Sequence, residues 1–404
     1  MLILNSPDDR LLAPDSSPKG RFLIFARGLM TKIVIIGAGI VGATIAYELS
    51  AIAGLEITLI DEKKPGQGAT GAALGILMGI ISHKTKGRAW KLRQESLKRY
   101  ETLLPELESL TGLTIPCNRD GIVLLRSSAE DEENWRKLAQ IRQEQGYCLE
   151  IWDKETLNQK CPQVAGEHLQ GAIYSPSDHQ INPALLTESL VTAAAKRGVK
   201  CQFGVKVENF GKTELQGSNL RQCTQVYSSN GIEETDFLIL CAGIGATALT
   251  ETLTHPVEIR PVLGQALQIK LTQPLESSDF KPILTGNDLH ILPLAGAEYW
   301  IGATVEFMDE KGEIIADTAL LEQVHQKAIA FCPSLAAGAI VRTWSGKRPR
   351  PEKKSAPIIE YLPRYDNVIL ATGHYRNGVL LAPATAKIVR EMLSDKLGFA
   401  EKVC

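Results

Sequence analysis

The sequence has no long hydrophobic run: across 404 residues nothing approaches the roughly 18 to 20 consecutive apolar residues that a membrane span needs, and glycines interrupt even the stretch from Ile33 to Ile45. No membrane span is expected. A charge excess is also missing, since 44 Lys and Arg against 46 Asp and Glu leave a formal net charge of −2 with the basic residues scattered. That balance argues against nucleic acid as a partner. Eight cysteines stand far apart without a CxxC pair, so neither a zinc site nor a disulfide framework is legible, and a reducing cytoplasm is the expected setting. There is no Ser-His-Asp or metal-ligand constellation, internal repeat or low-complexity segment. Residues 1–30 lack the basic start and apolar core of a signal peptide and are expected to form a disordered extension, with Met30 offering a second start directly before the first strand.

What is present suits a packed core. Hydrophobic residues make up 44% of the chain and charged residues 22%, and the length asks for two closely joined domains with a cleft between them. The first strand, Lys32 to Ile36, runs through glycines into a helix with apolar residues at Ile45, Ala46, Leu49, Ile52 and Ala53, and a second strand, Glu56 to Ile60, ends at Asp61. This βαβ unit of about thirty residues opens a doubly wound sheet. Further on, a helix from about Pro183 to Arg197 leads into a strand from Val199 to Val207, and Phe237 to Leu240 reads as a buried strand. Leu289 to Leu292 and Tyr299 to Ile301 read as a hairpin, and Val368 to Ala371 leads into a C-terminal helix.

Gly37-Ala38-Gly39-Ile40-Val41-Gly42 matches GxGxxG between a strand and a helix, the context in which the motif binds a pyrophosphate. Gly37 allows the tight turn, Gly39 lets the backbone approach the anion, and Gly42 lets helix pack on strand, while Asp61 can accept hydrogen bonds from ribose hydroxyls. The fingerprint does not separate NAD from FAD. A small-residue run from Gly66 to Gly75 suits backbone contact with an extended cofactor, with a flexible loop as the alternative. Near the C-terminus, Gly373-His374-Tyr375-Arg376-Asn377-Gly378-Val379-Leu380-Leu381-Ala382-Pro383 opens a helix whose first amides can stabilise negative charge.

Together these motifs resemble the D-amino-acid oxidase superfamily over about residues 31 to 395, and within it the glycine oxidases of thiamine biosynthesis. The resemblance implies an α/β and α+β protein: a discontinuous Rossmann-like FAD-binding domain over 31–100, 165–255 and 340–396, with an inserted mixed-sheet substrate domain over 101–164 and 256–339. It places cofactor contacts at Gly37, Gly39, Ile40, Val41, Gly42, Asp61, Glu62, Ala69, Thr70, Leu74, Gly75, Ile76 and Val207. The C-terminal contacts fall on His374, Tyr375, Arg376, Asn377, Gly378, Val379 and Leu380. In Trp344-Ser345-Gly346-Lys347-Arg348-Pro349, Arg348 takes the position of the substrate-carboxylate anchor, with Arg376 and His290 beside it.

Three departures from the family pattern stand out. The segment after Arg348 is longer and loses a Thr, an Asp and a Gly; His290 stands where glycine oxidases carry a tyrosine; and Val305 replaces a methionine. The implied chemistry is oxidation of glycine or another small amine by hydride transfer to flavin N5, with O2 reduced to H2O2 and no acid or base residue required. FAD is expected to be non-covalent, because residues 349–366 contain no cysteine. A thiazole synthase partner and a homo-oligomer are further implications. The alternatives are a D-amino-acid or sarcosine oxidase or dehydrogenase of the same superfamily, and a flavin-binding scaffold or sensor without turnover.

Overall fold

Alternation of apolar residues on two faces makes the first sheet the buried centre of the nucleotide-binding half. The computed structural model describes residues 30–127, 132–211, 213–215, 218–276 and 279–399. In it the strands lie in the order Ile358–Tyr361, Val368–Thr372, Phe237–Leu240, Thr31–Ile36, Leu55–Asp61, Lys200–Phe203, all parallel except the first pair. Ile33 and Ile35 pack with the helices Ile40–Leu49, Pro183–Lys196 and Gly378–Leu397 on one face, while Val34 and Ile36 pack with Phe210, Val226, Val257 and Leu362 on the other. Burial on both faces is why these strands read as continuous hydrophobic runs. Apart from Met30, the expected disordered extension lies outside the described residues.

The second sheet has eight strands, in the order Ala339–Pro351, Ile259–Lys270, Glu298–Gly302, Leu289–Pro293, Ile283–Gly286, Ile122–Arg126, Gly171–Ser175, Glu150–Asp153. One face, with Leu267, Ile269, Leu284, Ile291, Tyr299 and Ile301, packs on Ala328 and Phe331 of the helix Thr318–Phe331. The other carries the cross-strand row Thr285, His290, Gly302, Ala266 and Trp344. It faces the small-residue run: a Cβ on Gly346 would lie 2.3 Å from Ala72 Cβ, and one on Gly302 would lie 3.3 Å from Leu74 Cδ1.

Three stretches sit elsewhere than the sequence reading placed them. Gly171–Ser175 and, from residue 340 on, Ala339–Pro351, expected in the FAD-binding half, are strands of the eight-stranded sheet, because strand pairing is decided by partners distant in sequence. Residues 101–111, expected in the substrate half, complete the helix Gly87–Thr111, which packs on the nucleotide-binding half: Tyr47 donates to Glu106, and Ser96 Oγ accepts from the Ala384 amide. The strand expected to run from Val199 to Val207 ends at Phe203, where Gly204 at φ +75° turns the chain. Val207 then begins a strand of a separate three-stranded sheet.

The segment leading from the small-residue run to that long helix is pinned from two sides. Fully buried Asp178 accepts from the amides of Gly79, Ile80 and Ile81 and from Ser175 Oγ. Arg142, also fully buried and stacked on Trp90, donates to the carbonyls of Ile80, Ser82 and Lys84. Replacing Asp178 with Ala orphans three buried amides, so a loss of about 3 kcal/mol or more is expected in a urea-unfolding comparison. A loss below about 1 kcal/mol would show that the pinning is dispensable.

Candidate active site

The phosphate loop forms where Thr31–Ile36 ends and the helix Ile40–Leu49 begins. Gly37 adopts φ +105°, and a Cβ there would lie 2.5 Å from Cys241 O; one on Gly42 would lie 1.9 Å from Gly37 O. Its N-cap residue, Gly39, offers no side-chain cap and its first turn holds no acid, so no negative group of the helix opposes an anion at its positive end. Thr70 Oγ1 accepts from the Ile40 amide at 3.0 Å, tying the small-residue run to the loop. The end of that run is packed: Gln180 donates to Leu74 O, Ile76 pairs with Gln180, and Ile181 donates to Gly75 O. Val41 is half-buried, while Glu62 and Ala69 are exposed.

Asp61 ends its strand with the carboxylate accepting from the amides of Ala38 at 2.6 Å and Lys63 at 2.8 Å. Burial raises its pKa, and the two amides pull the other way. Val205 stands beside it, its amide donating to Asp61 O. The signal that could have found Val205 is Gly204 immediately before it.

A second open helix end lies alongside. Gly378–Leu397 starts after the turn Tyr375–Asn377, again with no side-chain cap and no acid in its first turn. A Cβ on Gly378 would lie 3.9 Å from Ile40 Cγ2, so the two helix starts are neighbours. Tyr375 holds φ +52°, a left-handed conformation that costs a side-chain-bearing residue about 1 kcal/mol or more. His374 is buried with Nε2 on Thr385 Oγ1, and Val379 and Leu380 are core residues. The side chains of His374, Val379 and Leu380 therefore hold the turn in place.

Across from these helix starts, Arg348 lies flat over Gly264, whose absent Cβ would sit 2.2 Å from the guanidinium. Its Nη1 donates to the carbonyls of Leu263 at 3.0 Å and Thr304 at 3.1 Å, and among the described residues no carboxylate lies within 4 Å of it. Burial, followed by the charge of Arg376, lowers its pKa below the usual arginine value. Arg376 is exposed and bridges to Asp288 at 3.1 Å, joining the C-terminal turn to the hairpin tip Asn287–Asp288. His290 is half-buried with Nδ1 2.7 Å from Thr285 Oγ1. Burial first, then Arg376 and Arg348, push its pKa down to about 4, so it is neutral at pH 7. Trp300 and Trp344 meet edge to face near a cavity of about 150 Å³ that reaches Gly71 and Ala73. Neither tryptophan was picked out as a site residue by the sequence, which does not show that their strands share a face.

The donor set fits an extended dinucleotide: two open helix starts side by side, an acid at the second strand's end, and a sheet face stripped to Gly264, Ala266, Gly302 and Gly346. Among the described residues no group of three or more His, Cys, Asp or Glu could hold a metal ion, and no helix is long and apolar enough to cross a membrane.

Burial of His374 pushes its pKa down to about 3. Both histidines thus bind their protons less tightly folded than at the unfolded value near 6.5, and stability present above pH 6.5 is lost as pH falls toward 4 and 3. Thermal melts of the holoprotein between pH 7 and 4 are expected to show this decline, and His374→Gln to flatten it. An unchanged slope in the variant would contradict the assignment.

The family model for FAD dependent oxidoreductases matches residues 32–392. The chain is 31% identical over 374 residues to the bifunctional protein ThiO/ThiG of Nostoc sp., a match covering 91% of this chain and 53% of that protein, so the chain spans about half the length of that relative. It is 27% identical over 360 residues to the glycine oxidase of Bacillus licheniformis, covering 89% and 92% of the two chains. The crystal structure of glycine oxidase from Geobacillus kaustophilus superposes with a TM-score of 0.79 at 24% identity, over 91% of this chain and 96% of that one. The chain belongs to the DAO family of FAD-dependent oxidoreductases.

Proposed function

We propose that this protein is a glycine oxidase, converting glycine and O2 to iminoacetate and H2O2 on non-covalently held FAD. The observation that carries this reading is Arg348: a half-buried guanidinium, fixed by two carbonyls and, among the described residues, without a carboxylate within 4 Å, on the bare sheet face opposite the helix starts. A planar fork left open in this way suits bidentate capture of a carboxylate. When bound, FAD supplies the two-electron acceptor for oxidation at the substrate Cα. Asp61, Thr70 and the two helix starts would hold its phosphates, ribose and ring, with Gly37, Gly39, Gly42, Gly75 and Ile76 shaping the backbone around it. Neutral His290 brings no second charge beside Arg348, and no side chain is required to remove a proton from an amine that binds neutral. Arg376, latched to Asp288 at the rim, would admit substrate by releasing an exposed ion pair worth about 1 kcal/mol or less.

The relative named as a bifunctional ThiO/ThiG protein supports a place in thiamine biosynthesis, in which a thiazole synthase consumes the imine. The two-domain division is kept, with 101–111 in the cofactor half and 171–175 and 340–351 in the substrate half.

Arg348→Met removes a charge-assisted contact of about 1.5 to 3 kcal/mol, so the glycine KM is expected to rise about tenfold to a hundredfold with flavin content unchanged. Oxygen-electrode rates for glycine, sarcosine and D-proline test the substrate directly. Glycine should lead, and a far higher rate with sarcosine or D-proline would move the assignment to the alternative oxidases. Acid precipitation should leave the flavin in the supernatant.

A further inference from the structure

Arg348 can act as a carboxylate anchor only if the two carbonyls that hold it stay in register, and those carbonyls belong to different segments. Leu263 lies on the strand Ile259–Lys270, whereas Thr304 follows the end of Glu298–Gly302. Glu306 and Thr304 lock the segments together. The Glu306 amide donates to Leu263 O, the Glu306 carbonyl accepts the return bond from the Leu263 amide, and the Thr304 amide donates to Gln265 O. Thr304 Oγ1 accepts from the Gln265 amide at 2.8 Å and donates to Glu306 Oε1. Gln265 Nε2 adds a bond to the same carboxylate oxygen at 3.0 Å, and the Asp317 amide donates to Oε2 at 2.8 Å.

Thr304 and Glu306 are only 5% and 7% exposed, and among the described residues no Lys, Arg or His lies within 4 Å of the Glu306 carboxylate. A buried carboxylate without an ion-pair partner is costly to keep. Here its donors are those that fix Thr304 and Gln265, directly behind the guanidinium.

We infer that Glu306, acting through the Thr304 hydroxyl, is a positioning residue for Arg348: it fixes the Thr304 carbonyl that orients the guanidinium toward the substrate carboxylate. The inference rests on the reading of Arg348 as the anchor, and its test separates the two. Thr304→Val keeps the carbonyl and deletes the hydroxyl that meets Gln265 and Glu306; Thr304→Ser restores the hydroxyl. Glu306→Gln keeps the shape but turns an amide donor on one of the donors that the carboxylate now accepts from.

In the FAD-loaded full chain, acetate affinity by calorimetry and glycine KM and kcat are the readouts. Thr304→Val is expected to weaken acetate binding and raise KM about tenfold, with kcat changed by about twofold or less. Thr304→Ser should return both to near wild type, and Glu306→Gln should move both in the direction of the Val variant. If Thr304→Val does not fold, the Glu306→Gln comparison decides alone. Unchanged acetate affinity and KM in a folded variant, or a fall in kcat with KM intact, would overturn the positioning role. If Arg348→Met leaves acetate binding untouched in the wild-type background, the anchor reading fails first. If acetate behaves as expected but glycine is not oxidised, the positioning role stands and the glycine assignment falls.

Discussion

The constraint on which the rest of the site depends is a positive charge taken partly out of water and given, among the described residues, no salt-bridge partner. Arg348 is held by carbonyl dipoles, which orient a guanidinium without neutralising it. Everything nearby is arranged around that fact. Gly264 has no side chain to lift the guanidinium off the sheet, burial keeps His290 uncharged, Asp288 at the rim is occupied by Arg376, and the Glu306 carboxylate is taken up by Thr304, Gln265 and the Asp317 amide. On the proposed reading, an acid salt-bridged to Arg348 would quench the charge that a substrate carboxylate is to meet.

The same economy governs the opposite wall. Two helices begin side by side with no side-chain cap from the N-cap residue and no acid in the first turn, so their positive ends lie together. The packing that holds them is heavily satisfied: Tyr100 donates to Val379 O, His374 meets Thr385, and Thr70 holds the Ile40 amide. Asp178 and Arg142 bind the backbone of the segment that follows the small-residue run, while much of the sheet face toward that run is reduced to Gly264, Ala266, Gly302 and Gly346. An arrangement of preorganised donors around a stripped surface is what binding and orienting a flat cofactor requires.

Features encoded within a few residues were legible in the sequence. The turn Gly37–Gly42, Asp61 at its strand end, the hairpin around His290 and the glycine turn at Gly373 each follow from local chain chemistry, and the expected fold class is the one found. Properties set by pairing were not. Nothing local says that Gly171–Ser175 and Ala339–Pro351 join the eight-stranded sheet, or that Gly204 breaks a strand and puts Val205 next to Asp61. The roles of Asp178, which gathers amides nearly a hundred residues away, and of Arg142, which reaches back about sixty, depend wholly on tertiary packing. Glu306 was invisible for the same reason: its partners Gln265 and Asp317 come together only when the sheet has formed.

The most direct test of the central claim is anaerobic mixing of the FAD-loaded protein with glycine while the visible flavin absorbance is followed. The account predicts bleaching in the wild type that saturates with glycine, and in Arg348→Met bleaching only at far higher glycine concentration. A wild-type spectrum unchanged by glycine, or an Arg348→Met protein that bleaches at the same glycine concentration as wild type, would contradict it.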